Sequence, residues 1–214
     1  MSQEPEPPRG QLRSSIRSYA KTAYVEAVLA AAERLFLRDG YHAAKMADIA
    51  REAGISVGTL YKHFVSKEAV FESLADRGRE EALAIMRRAT ALGDPKARVE
   101  AMVEGLFAHM ERQNAIFAIL AELGEPFEQH STPGMCARDA AAEMEVAALV
   151  EAAFLEASKQ GVLRGNASPR VLAALFTGAV RGALFAWIRS DRQEPLAPQA
   201  QVLVALFFEG MTAT

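Results

Sequence analysis

Residues 48–64 read DIAREAGISVGTLYKHF. Ile49, Ala50 and Ala53 keep helical spacing up to Gly54, and Leu60 and Phe64 resume it after Ser56, a good helix N-cap. The stretch predicts two short helices, about 45–53 and 56–62, joined by a turn of about three residues that contains Gly54. Helices this short are marginal alone in water, where roughly 12–15 residues are needed. Both must therefore be held by packing, and two short helices crossing at a glycine-bearing turn make a helix-turn-helix. Ile49, Ala53, Ile55 and Leu60 supply a small shared core. Val57, Gly58, Thr59, Tyr61, Lys62 and His63 remain for the outer face, which offers hydroxyls, an ammonium and an imidazole rather than a core surface.

Outward from this stretch, spacings of three and four recur and strand-like alternation is absent. Val25, Val28, Leu29, Ala32, Leu35 and Phe36 stripe a helix over 22–38 that stops at Gly40. Ser66 opens a helix running to about 91, with Glu68 in its first turn where the helix dipole favours a negative charge. Asp94-Pro95 opens the next helix, a shorter apolar piece covers 114–123, and the turn-rich 124–134 is an expected loop. Helices over about 135–160, 169–189 and 196–211 complete an all-α fold of about nine helices. The expected division is an unstructured arm at 1–18, a helix-turn-helix domain at 19–67 and a larger helical domain at 68–214.

The composition fits a soluble globular protein: half of the 214 residues are hydrophobic and a quarter charged. A single cysteine, Cys136, builds no internal disulfide framework and suits a reducing cytoplasm. The apolar run 171–188 carries Arg181 at its middle, which is costly in lipid, so a buried interface helix is expected there and no membrane span. Charge is unevenly spread. Arg9 to Lys67 holds ten Lys/Arg against five Asp/Glu, and from Glu68 onward the balance is 14 against 20. A basic N-terminal part on an acidic body points to a polyanionic partner for that part alone. Arg9, Arg13, Arg17 and Lys21 add a loose basic arm. No cofactor, metal site or catalytic residue is expected. None of His42, His63, His109 and His130 follows a Glu by three residues, no glycine-rich phosphate loop occurs, and Cys136 has no evident activating partner.

Residues 22–68, TAYVEAVLAAAERLFLRDGYHAAKMADIAREAGISVGTLYKHFVSKE, resemble the DNA-binding domain of the TetR/AcrR family of transcriptional regulators. The specific parts are AAERLFLRDGY, DIAREAGIS, GTLYKHF and SKE, in that order. The resemblance implies that the helix after Gly54 enters the major groove of double-stranded DNA at a palindromic operator. Val57 and Thr59 then meet base edges or thymine methyls, and Gly58 allows close approach. Tyr61 and His63 meet phosphates, Lys62 meets phosphate or base, and Lys67 matches a phosphate-binding lysine. One departure is visible: Ala44 and Lys45 stand where the family often has Ser or Thr. The second helix loses a hydroxyl cap, typically worth about 1 kcal/mol, and Lys45 is expected to reach phosphate by charge instead.

The resemblance also implies a homodimer formed through the last two helices. Ala174, Gly178, Gly182 and Ala186 recur every four residues along one helix, a stripe that lets another backbone come close, and Leu206 lies on the last helix. The larger domain is expected to bind a small apolar or aromatic ligand. Met102, Phe107, Met110, Phe117 and Met144 provide adaptable apolar surface, and His109, Thr177 and Arg181 the polar groups that orient it. Ligand binding would move the reading helices out of register with successive grooves, with the long fourth helix as lever. The whole reads as a cytoplasmic, ligand-released repressor. The alternative is a regulator of the same fold that answers to a protein partner or to no ligand.

Overall fold

Eight helices follow one another along the described chain: α1 (Arg9–Asp39), α2 (Met46–Glu52), α3 (Val57–His63), α4 (Lys67–Ala89), α5 (Pro95–Arg112), α6 (Pro133–Lys159), α7 (Pro169–Arg189) and α8 (Gln199–Phe208). The computed structural model describes residues 9–113, 133–163, 168–190 and 194–210, with side chains from Ala20 onward in the first segment and from Ala137 onward in the second. Among the described residues no strand occurs, so the all-α expectation holds. The helix expected at 114–123, with Phe117, lies outside them. Of the loop expected at 124–134, Pro133 and Gly134 already belong to α6, since proline is well suited to a first helical turn.

Residues 9–18, expected to belong to an unstructured arm, open α1 instead. No proline occurs between Pro8 and Pro95, so nothing of that kind interrupts the helix.

The chain divides into two units, Met1–Leu74 and Ala75–Thr214. The break falls inside α4, seven residues beyond the expected boundary at 67, because the first turns of α4 serve the small N-terminal core. Val70, Phe71 and Leu74 are buried there, and the Phe71 ring meets that of Tyr41 edge-on at 5.7 Å. The same core takes Val28, Leu29, Ala32, Leu35 and Phe36 from α1, Ile49 and Ala50 from α2, and Leu60 and Phe64 around α3. Arg34 ties α1 to α2 by an ion pair with Glu52 at 3.0 Å.

The second unit is a helical bundle. Val99, Met102, Val103 and Phe107 of α5, Phe154 of α6, Phe176 and Trp187 of α7, and Val204 and Phe208 of α8 share one core. Phe154 lies 5.4 Å from Phe176 and 5.5 Å from Phe208, ring centre to ring centre. Two helix starts of this unit have a local cap. Asp94 caps α5 by accepting from the Ala97 N–H at 2.8 Å, with Pro95 behind it. Ser168 caps α7 by accepting from the Val171 N–H. Glu111 reaches from α5 to the residues before α8, accepting from the backbone N–H groups of Leu196 and Ala197. At Gly105 a Cβ would come within 2.5 Å of Ile85 Cγ2, so the Ile85 side chain of α4 lies tight against the α5 backbone there.

Candidate nucleic-acid interface

The α1–α2 turn ends at Lys45, the N-cap of α2, whose side chain makes no capping hydrogen bond. Asp48 in the first turn supplies the negative charge that the dipole favours. Gly54 adopts φ +70°, a left-handed turn that glycine enters without strain. Ser56 then caps α3: its Oγ accepts from the Thr59 N–H at 3.0 Å and lies 2.8 Å from Thr59 Oγ1, so the two hydroxyls share a hydrogen bond. Leu60 and Phe64 face the core and are buried.

The opposite face of α3 is open. Val57 and Tyr61 are 41% and 51% exposed, Gly58 and Lys62 are exposed, and Thr59 and His63 are half-buried. A Cβ at Gly58 would meet nothing nearer than Ser56 Oγ at 3.9 Å, so no packing inside the chain requires glycine there. The His63 ring stacks on Tyr24 of α1, with centroids 6.2 Å apart and planes at 30°. Tyr24, itself 44% exposed, extends the aromatic and polar surface of α3 onto α1, and no spacing or motif in the sequence singles it out.

The described cations of this unit are used in different ways. Arg38 makes a two-point hydrogen bond with Asp39, which raises its pKa and lowers that of Asp39. Arg34 pairs with Glu52 and Arg51 with Asp48. Among the described residues, Lys21, Lys45 and Lys62 form no ion pair and are exposed. Three uncommitted ammonium groups on α1, at the start of α2 and on α3 suit a polyanion better than the net charge suggests.

Lys67 departs from expectation. Its Nζ donates to three backbone carbonyls of the α1–α2 turn: Tyr41 O at 2.6 Å, Ala44 O at 3.1 Å and His42 O at 3.3 Å. It also lies 4.4 Å from the centre of the Tyr41 ring. An ammonium has three N–H donors, and all are taken. Burial, with the Glu68 carboxylate beside it, pushes the Tyr41 hydroxyl up to about 12.

Of the residues expected to line a ligand pocket, Phe117 lies outside the described residues, and the others divide between the core and the surface. Met102 and Phe107 are fully buried in the core of the second unit, with Met110 packed against it. Met144 is 68% exposed, and Arg181 is an exposed partner of Glu143 at 3.0 Å. Thr177 Oγ1 is spent on the Ala173 carbonyl. His109 is buried, its Nε2 2.8 Å from the Gly78 carbonyl, and burial holds its pKa below the ordinary histidine value. Apolar side chains at helical spacing look alike whether they face a core or a cavity, which is why the sequence did not sort them.

Of the residues expected at a dimer interface, four lie along one stripe of α7 and Leu206 lies on α8. Ala174, Gly178, Gly182 and Ala186 of α7 are all exposed, with Val171, Leu175 and Phe185 beside them. A Cβ at Gly178 or Gly182 would meet nothing within 4 Å. Val202 and Leu206 of α8 are exposed as well. α7 is long and apolar enough to cross a membrane by length and composition alone, with Arg181 inside it.

Residues 28–74, which include the open face of α3 and its supports, match the sequence model of bacterial regulatory proteins of the tetR family. Over these residues the chain is a tetR-family regulatory protein. It is 28% identical over 196 residues to the HTH-type transcriptional repressor BepR of Brucella suis biovar 1 (strain 1330), covering 88% of this chain and 91% of BepR. It is 29% identical over 168 residues to the HTH-type transcriptional activator FasR of Mycolicibacterium smegmatis (strain ATCC 700084 / mc(2)155), covering 77% of this chain and 72% of FasR. Its fold is similar to the crystal structure of the transcriptional regulator FadR from Bacillus subtilis in complex with stearoyl-CoA. The TM-score is 0.66 at 17% identity, over 87% of this chain and 99% of FadR.

Proposed function

We propose that this tetR-family regulator is a homodimeric repressor that binds a palindromic operator through α3 and is released by a small apolar ligand. The observation that carries the DNA-reading part is the α3 face. It is a seven-residue helix anchored by Leu60, with Val57, Gly58, Tyr61 and Lys62 exposed and a glycine that no internal packing requires. Val57 and Thr59 stand toward base edges, and Lys45, Tyr61, Lys62 and His63 toward phosphates. A single seven-residue helix reads only a few base pairs, so two copies on two half-sites supply the specificity. The exposed apolar face of α7 and α8 is the surface that would pair them. Repression follows the likeness to BepR.

The ligand reading rests on the Met- and Phe-rich helices of the second unit and on a FadR of similar fold holding stearoyl-CoA. A ligand shifts operator binding only if it binds the two states unequally. Coupling of this kind typically runs ~1–3 kcal/mol.

Selection of bound DNA from a random pool tests the central claim. A single motif of two inverted half-sites is expected, and equal recovery of all sequences would refute it. Transcription from a reporter carrying that motif should fall when the protein is supplied; a rise would reverse the sign. A thermal-shift series of apolar compounds, fatty acyl-CoA included, should contain at least one that raises the melting temperature, and none doing so would remove the ligand.

A further inference from the structure

We infer that Lys67 is a positioning residue, a pin that holds the α1–α2 turn from the first position of α4 and thereby sets where α2 and α3 stand. This deepens the DNA-reading proposal and rests on it only for the binding arm of the test. Four observations converge on the pin. The Lys67 ammonium spends its three donors on the Tyr41, His42 and Ala44 carbonyls. It also lies over the Tyr41 ring, whose negative face attracts a cation. The segment it holds leads straight into α2, whose N-cap Lys45 contributes no side-chain cap. α2 and α3 have seven residues each, too few to hold their own geometry.

The turn that launches α2 is thus fixed from outside by a residue at the first position of α4. A compact ammonium suits three converging carbonyls, whereas a planar guanidinium with a fixed fork does not. A lysine so engaged has no N–H left for a phosphate, and the phosphate-facing charge falls to Lys21, Lys45 and Lys62.

The test uses the full-length protein with Lys67→Met, which keeps the aliphatic stem, and Lys67→Arg, which keeps the charge. Hydrogen exchange in the free protein reads the pin without DNA. In Lys67→Met the Ala44, Asp48 and Ile49 amides should exchange roughly ten- to a hundredfold faster, the range expected for losing hydrogen bonds to a charged donor. Unchanged exchange there would overturn the inference, whatever the protein does with DNA.

Binding is then measured against salt on a duplex carrying the selected motif, with affinities corrected for the folded fraction. Lys67→Met should weaken binding about tenfold with the salt slope unchanged, and Lys67→Arg should not restore it. A slope lowered by about 0.9 per protomer marks a lost phosphate contact. That result, wild-type binding by Lys67→Arg, or wild-type affinity in Lys67→Met would each refute the pin. Failure of the wild-type protein to bind any selected sequence would instead refute the DNA-reading proposal, and the exchange result would still decide the pin.

Discussion

Replacing Gly58 by alanine separates what the fold needs from what a partner needs. The added Cβ would meet only Ser56 Oγ, at 3.9 Å, an ordinary van der Waals contact. Alanine in place of glycine inside a helix gains roughly 0.5–1 kcal/mol, chiefly from the entropy that glycine loses on folding. Gly58 is the second residue of a seven-residue helix, so the lower end applies, about 0.5 kcal/mol. For a chain of this size that is about 1–2 °C in melting temperature. On DNA, with α3 docked as proposed, the same methyl would stand between the helix start and the groove. Displacing α3 should cost about as much as a mismatched base pair, ~1–3 kcal/mol, a loss of roughly five- to 150-fold in affinity. Thermal denaturation and an anisotropy titration on the selected duplex, both at fixed salt, read the two effects in one preparation. Opposite signs are expected: more stable, weaker binding. A lower melting temperature would show that the space beside Gly58 is not open. A higher one with unchanged affinity would show that the start of α3 does not approach DNA.

Gly105→Ala should behave oppositely, because its Cβ would fall 2.5 Å from Ile85 Cγ2 on a stiff β-branched side chain. A net loss of about 1–2 kcal/mol is expected by chemical denaturation, largely relieved in the double variant with Ile85→Ala; a stabilised single variant would refute the close contact. Gly182→Arg places a charge on the exposed face of α7 without any internal clash. Sedimentation should show monomer in place of dimer, with operator affinity lost, whereas an intact dimer would move the interface elsewhere. His109 has its pKa lowered first by burial and then by Arg112, against the opposing pull of the Gly78 carbonyl and Glu81. The unfolded chain therefore binds a proton that the folded chain refuses, and stability contributed above the unfolded histidine value of about 6.5 is lost as pH falls below it. Acidification from pH 8 to 5.5 should lower the melting temperature more in the wild type than in His109→Gln; parallel curves would exclude His109 as the source.

What the sequence made legible is what is encoded locally. Ser56, Asp94 and Ser168 each accept from an N–H three residues on, and Gly40, Gly54 and Gly161 each take a positive φ at a helix end. These relations span a few positions and leave a pattern. The Lys67 contacts reach back 23–26 residues to backbone carbonyls, and the Tyr24–His63 stack joins separate helices, so neither leaves a periodic trace. Spacing distinguishes an inward face from an outward one only when the two differ in polarity. On α3 they differ, and Leu60 and Tyr61 were sorted correctly. On α8 they do not: Val202 and Leu206 are exposed while Val204 and Phe208 are buried, all of them apolar. Under the proposed dimer the exposed set would face a second copy.

The hydrogen bond between Ser56 and Thr59 leaves the leading edge of α3 poor in spare donors, with a valine and a glycine beside it. Such an edge senses methyl groups and shape more than donor–acceptor patterns. Thymine differs from uracil by its C5 methyl, and cytosine methylated at C5 presents that same group in the groove. An operator read by Val57 would therefore carry an epigenetic handle: methylating a cytosine under the valine changes the contact without changing a base pair.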